Sequence, residues 1–141
     1  MRKWFTALLA AMALVSTPVV AAEKEAYQKV QPLLATDKTI LGEKLLLSDG
    51  SPLEITSTIV TIEPGEKTAW HKHGVPLYAY VLAGELTVDY GDKGTRTFGP
   101  GIAFMEAMDH WHHGINTSGK PVRILTVYLG SDKARNVIVK E

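Results

Sequence analysis

The sequence predicts an all-β fold, a single antiparallel sandwich or barrel, on three observations. Between Lys38 and Leu129 the apolar residues fall in short runs, each closed by Gly, Pro or Asn. In the clearest run Leu86, Val88 and Tyr90 alternate with Glu85, Thr87 and Asp89, the period of two expected of a strand with one buried face. No stretch of that region carries a competing helical repeat. The 141 residues amount to one domain and suffice to bury a sizeable core.

Taken in order, Ile40–Leu47 is the first candidate strand, ended by Ser48-Asp49-Gly50-Ser51-Pro52. Leu53–Ile62 is rich in Ile, Val and Thr, which suit a pleated, half-buried surface, and Pro64-Gly65-Glu66 turns the chain. Leu77–Leu82 and Glu85–Tyr90 are separated by Gly84. Gly91-Asp92-Lys93-Gly94 reads as a hairpin turn into Thr95–Phe98, and Gly99-Pro100-Gly101 leads to Ile102–Met105. A loop, then Trp111–Ile115, a turn at Asn116–Lys120 and Val122–Leu129 complete the set. Ahead of the barrel domain at 38–141, residues 23–37 carry good helix formers with Ala26, Val30, Leu33 and Leu34 as their apolar set. This segment is expected to be a short helix before Pro32 or a loose arm.

Residues 1–22 read as a secretory signal peptide. Arg2-Lys3 is a basic start, Trp4 to Val20 is apolar, and Val20-Ala21-Ala22 supplies small residues for cleavage. Ser16, Thr17 and Pro18 interrupt what an uncleaved anchor would need, about 20 consecutive apolar residues. The expected mature chain begins at Glu23, has no membrane span, and is exported: to the periplasm in a Gram-negative cell, otherwise outside. It holds 13 basic and 15 acidic residues, a net charge of −2, once Arg2 and Lys3 are removed from the balanced totals of 15 and 15. With no basic block, nucleic acid is not an expected partner; a small-molecule ligand is. The chain has no cysteine, so disulfides and thiolate chemistry are excluded despite export.

The five histidines fall in two groups, His71 and His73, then His110, His112 and His113. Side chains two apart on a strand share a face and sit about 7 Å apart along it, close enough for two imidazoles to converge on one ion. His71 and His73 form one such pair and His110 and His112 another; His113 faces the other way. Imidazole donors suit Zn, Cu, Fe or Ni.

These residues resemble the two motifs of the cupin superfamily, small jelly-roll barrels that often hold one metal ion. In the first motif Gly65, His71, His73 and Gly84 fall in register. In the second, Gly101, His112 and Asn116 fit, while Ala107 and Asp109 stand where Pro and Gly are usual. The flanking Ile59–Gly65 and Pro121–Leu125 runs are similar to this family too, so the resemblance spans about Thr39 to Leu129. It implies a cupin jelly roll with His71, His73 and His112 as ligands to one divalent ion (Fe, Zn, Cu, Mn or Ni), and a homodimer paired through its sheets. The glutamate of the first motif is missing: its place holds Leu77, or Tyr78 at the longer spacing.

Three neutral imidazoles leave the charge of a divalent ion uncompensated, which favours an anionic ligand in an open position. Glu106 and His110, in the loop before His112, are the candidates to move protons, and His110 is also a candidate fourth imidazole. Leu77, Tyr78 and Trp111 are the candidate pocket lining, with Tyr80 more simply read as core. Two functions follow from different classes. One is a metal-dependent enzyme, oxygenase- or isomerase-like, acting on a small anionic or oxygenated metabolite. The other is a non-catalytic module that binds a small molecule or a metal on a cupin scaffold.

Overall fold

A computed structural model of the chain describes residues 26–38, 42, 44–47, 50–131 and 133–141. The expected signal peptide lies outside the described residues, as does much of the candidate strand Ile40–Leu47. Bridges of Lys38 with Lys44 and of Leu46 with Pro52 mark extended backbone around the latter. Among the described residues no helix is long and apolar enough to cross a membrane.

Ten strands follow in order: β1 Lys29–Thr36, β2 Glu54–Ile62, β3 His71–Lys72, β4 Leu77–Ala83, β5 Leu86–Asp89, β6 Thr95–Phe98, β7 Ala103–Met105, β8 His113–Ile115, β9 Val122–Gly130 and β10 Ile138–Val139. One wall is a five-stranded sheet in the order β1-β2-β9-β4-β7, antiparallel throughout. The other is built from the pair β10-β3 and the triplet β6-β5-β8. A bridge between His71 and His112 joins these two pieces, so they run as one wall facing the first. The all-β expectation is met, and the architecture is an antiparallel two-walled barrel.

The segment expected as a helix or loose arm is instead β1, paired with β2 from Lys29↔Thr61 to Thr36↔Ile55 with an irregularity between Pro32 and Leu34. Helix propensity lost to the unsatisfied edge of β2, whose backbone groups need partners. Proline is tolerated because β1 is itself an edge strand.

Alternation sets the core. Thr56, Thr58, Val60 and Ile62 of β2, Leu77, Ala79 and Val81 of β4, Leu86 and Val88 of β5, and Val122, Ile124, Thr126 and Tyr128 of β9 are all buried between the walls. Each fully buried Val or Ile contributes about 1.5–3 kcal/mol relative to exposure. The inward threonines are paired: Thr58 and Thr126, directly opposite in the β2–β9 register, share a 2.6 Å hydroxyl–hydroxyl hydrogen bond.

The motif residues fix the corners. Gly65, Gly84 and Gly101 all have positive φ, and so does Asp109 (φ 52°), which occupies the second motif's glycine position. Asn116 is fully buried and ties a loop together. Its amide donates to the carbonyls of Ile62 and Lys120, both at 2.8 Å, and its oxygen accepts from Ser118 N–H.

Gly84 combines φ +75° with crowding, since a Cβ there would lie 2.6 Å from the Pro121 carbonyl oxygen and 2.8 Å from Val122 Cα. Gly91 has φ +63° and open space around it. Left-handed backbone alone costs about 1–2 kcal/mol for alanine, which is the loss expected for Gly91→Ala. Gly84→Ala is expected to lose roughly twice as much, because rigid backbone must also shift. Urea unfolding of the two variants measures the difference; equal losses would contradict the steric account.

Candidate metal centre

The cluster begins with backbone pairing. His71 N–H donates to the His112 carbonyl and His112 N–H to the His71 carbonyl, both at 2.9 Å. Residues that exchange both hydrogen bonds across an antiparallel pair present their side chains to one face, and here that face is the barrel interior. His73, two residues on from His71, joins them, its carbonyl held by Asp109 N–H at 3.1 Å. The three rings are buried, with centroids 5.1 Å (His71–His73), 4.6 Å (His71–His112) and 5.1 Å (His73–His112) apart. One nitrogen from each lies within 4.8 Å of the others. Two bonds of about 2.1 Å to a shared ion allow at most about 4.2 Å between donor atoms, the scale on which these nitrogens are gathered.

The tautomers are fixed by the same arrangement. His71 Nδ1 faces the Ala69 carbonyl at 2.7 Å, His73 Nδ1 that of Asn136 at 2.9 Å, and His112 Nδ1 that of His110 at 2.9 Å. A carbonyl can only accept, so each Nδ1 carries the proton and each Nε2 is left as a lone pair, the arrangement that orients metal-ligating histidines. His71 Nε2 accepts from the Tyr27 hydroxyl at 3.2 Å. His112 Nε2 is buried and has no hydrogen-bond partner among the described residues. An orphaned buried acceptor is costly in a folded protein, and a metal ion is a partner for which its geometry is suited.

Burial keeps the imidazoles neutral. It pushes His71 down to about 3, helped by the neighbouring His73, and His73 down to about 4. Both rings are therefore unprotonated over the range where they would bind a cation.

The other expected site residues separate. Leu77 is buried and faces the cavity beside the histidines, as expected. Glu106 also faces it. Its Oε1 accepts from the Tyr90 hydroxyl and from Ala107 N–H, both at 2.7 Å, and its Oε2 lies 3.9 Å from His112 Nε2. Tyr78, expected in the pocket, is on the outer face of β4 and 38% exposed, because Leu77 and Ala79 take the inward positions. Trp111, also expected there, lies instead near Lys72 and Lys140, whose ammonium groups are 5.4 and 5.8 Å from its ring centre. His110 does not join the cluster either. Its Nε2 meets the Tyr90 carbonyl at 2.8 Å and Asp92 at 3.7 Å. His110 lies in the bend ahead of the extended segment that starts at His112, so strand alternation does not reach it. His113 faces away, as expected, stacked on Trp70 at 4.2 Å and 3.5 Å from Asp89.

Sequence reasoning passed over Tyr27, whose hydroxyl reaches His71 from a segment read as a short helix or a loose arm. It also passed over Asn136, which orients His73 from the C-terminal stretch. Neither has a motif. Tyr90 did have a signal, the inward phase of β5.

The cavity lined by these groups opens to solvent and has a volume of about 40 Å³, room for about three waters. Apart from the histidines, Glu106, Tyr27 and two threonines, its lining is apolar, with Leu77, Ile124 and Phe104 among the walls.

A cupin-domain family model matches residues 58–128, just over half of the chain. The chain belongs to the cupin family. No protein of curated function matches the sequence. Among solved structures it is similar to a double-stranded β-helix protein from Klebsiella pneumoniae, with TM-score 0.56 and 16% identity over 79% of this chain and 85% of that one. An RmlC-like cupin from Methanocaldococcus jannaschii gives TM-score 0.56 and 13% identity over 72% and 78%. The oxalate decarboxylase of Lactobacillus farciminis, in its formate complex, gives TM-score 0.51 and 22% identity over 60% of this cupin and 26% of the larger chain. These are likenesses of fold.

The depressed imidazoles make a prediction for the metal-free protein. Unfolded histidine takes a proton near pH 6.5, whereas His71 and His73 stay neutral in the fold. Stability is therefore expected to fall as pH drops from about 6.5 towards 4, by up to about 1.4 kcal/mol per pH unit for each ring. Urea midpoints across that range, compared with a His71→Gln/His73→Gln variant, check this. Equal slopes for the two proteins would contradict it.

Proposed function

We propose that this cupin is exported and holds one divalent metal ion through Nε2 of His71, His73 and His112, presenting it to a small anionic or oxygenated molecule. The observation that carries the reading is His112 Nε2, a buried lone pair without a partner among the described residues, beside two imidazoles whose Nδ1 protons are likewise committed to backbone carbonyls. Nitrogen donors of this kind suit Fe, Zn, Cu or Ni, and Mn less well. When bound, such an ion supplies a positive charge that draws an anionic oxygen and acidifies a coordinated hydroxyl or water.

The chain's own residues do the rest. The carbonyls of Ala69, Asn136 and His110 hold the rings in one tautomer. Leu77, Ile124 and Phe104 give the cavity apolar walls, which strengthens every charge interaction within it. The Tyr27 hydroxyl, 3.2 Å from His71 Nε2, is the group that would donate a proton to a bound ligand there, while Glu106 brings a carboxylate to the same cavity. A cavity of about 40 Å³ supports a ligand of only a few non-hydrogen atoms unless Tyr27 moves. Oxygenase- or isomerase-like chemistry on such a metabolite is the activity this arrangement supports. The smallness of the cavity also favours the second reading, a module that captures the metal without turnover.

Removal of residues 1–22 on export would leave Tyr27 as the fifth residue of the chain. Pairing of two copies through the five-stranded sheet is supported by the exposure of Tyr78, Leu82, Met105 and Leu129 on its outer surface. Sedimentation should then give a dimer that Leu82→Lys/Leu129→Lys converts to monomer; a monomeric wild type would remove this part of the reading.

Elemental analysis of the exported protein is expected to find roughly one ion per chain, and His71→Ala and His112→Ala are expected to lose it. A folded wild type that neither carries metal nor binds it on titration would overturn the proposal.

A further inference from the structure

We infer that Glu106 is the acidic metal ligand of this barrel, supplied from β7's side of the sheet, across the ladder from the position where the first cupin motif keeps its glutamate. The inference rests on the three-histidine reading and adds to it a fourth donor of a different kind.

The register makes the case. β4 and β7 pair with Tyr78 opposite Met105, and both of these side chains are exposed, 38% and 57%. One step along, Glu106 N–H donates to the Leu77 carbonyl at 2.9 Å. Leu77 and Glu106 are thus neighbours across the ladder, and alternation turns both inward. Leu77 occupies the motif's glutamate position and contributes only apolar surface. The carboxylate beside it enters the same cavity from the adjacent strand.

Its details suit a ligand. The Glu106 side chain is 6% exposed, and a buried carboxylate is costly unless charge or hydrogen bonds compensate it. Oε1 is fixed by the Tyr90 hydroxyl and Ala107 N–H. That aims Oε2 at the interior, 3.9 Å from the orphaned His112 Nε2. The separation lies within the span of about 4.2 Å that two donors on one ion allow. A loop-capping role accounts for Oε1 and Ala107 but leaves the direction of Oε2 unexplained. With Glu106 bound, the site would carry one negative charge against a divalent ion rather than none.

The test uses the mature chain and Co²⁺, whose visible absorption reports its donor set. Glu106→Gln keeps an acceptor for Tyr90 and Ala107, so the loop contacts survive while the charge is lost. It is expected to weaken Co²⁺ binding by about tenfold or more and to change the spectrum. Leu77→Glu/Glu106→Gln, which returns a carboxylate to the motif position, is expected to recover both. If Glu106→Gln alone does not fold, the double variant against wild type carries the comparison. Wild-type affinity and spectrum in Glu106→Gln would overturn the inference while leaving the three histidines intact. So would a loss of affinity with an unchanged spectrum that Leu77→Glu does not repair. A folded wild type that takes up no Co²⁺ would overturn the underlying metal site instead.

Discussion

The reciprocal hydrogen bonds between the backbones of His71 and His112, 2.9 Å each way, are the constraint on which the rest of this structure depends. They join β3 to β8 and so close the second wall of the barrel. They also set which way the two side chains point. A slip of one residue in this pairing would turn His71 and His112 outward and bring Lys72 or His113 inward. Structure and site are therefore specified by the same contact. His73 follows from His71 by strand alternation, and the bend at residues 109–110 ends before His112, so His110 is not carried in with it.

Around that contact the physical chemistry is consistent. The walls bury the rings among aliphatic side chains, which keeps the imidazoles of His71 and His73 neutral. Backbone carbonyls take their Nδ1 protons, so the Nε2 lone pairs turn to the interior. A barrel of this kind would be better packed with apolar residues at these three positions, since buried polar groups without full partners weaken a core. Retaining three imidazoles, one with an unpartnered nitrogen, makes sense when a cation completes them. Proteins commonly depart from the stablest core at functional sites.

Much of this was legible in the sequence because strands with one buried face write their orientation as a period of two. Leu86, Val88 and Tyr90 announce β5 and its inward side, and the two histidine motifs announce three imidazoles on neighbouring, paired segments. What was not legible depends on contacts between distant residues. β1 is composed of residues that also suit a helix, and only its pairing with β2 decides otherwise. β10, at Ile138–Val139, is too short to show a period. His110 sits two residues from His112, but it lies in a bend before the extended segment begins, and its ring goes to the Tyr90 carbonyl instead. Tyr78 looks like a pocket aromatic until Leu77 claims the inward position beside it, and Trp111 looks like one until Lys72 and Lys140 are found over its ring. Glu106 is 29 residues from Leu77 along the chain, and nothing local reveals that the ladder makes them neighbours.

A crystal of the Co²⁺-loaded protein, with diffraction collected at the cobalt edge, tests the central claim most directly. The account predicts one anomalous peak per chain inside the barrel, within about 2.2 Å of the Nε2 atoms of His71, His73 and His112. A metal bound elsewhere, or a barrel whose three Nε2 atoms face only water and Tyr27 at saturating cobalt, would contradict it.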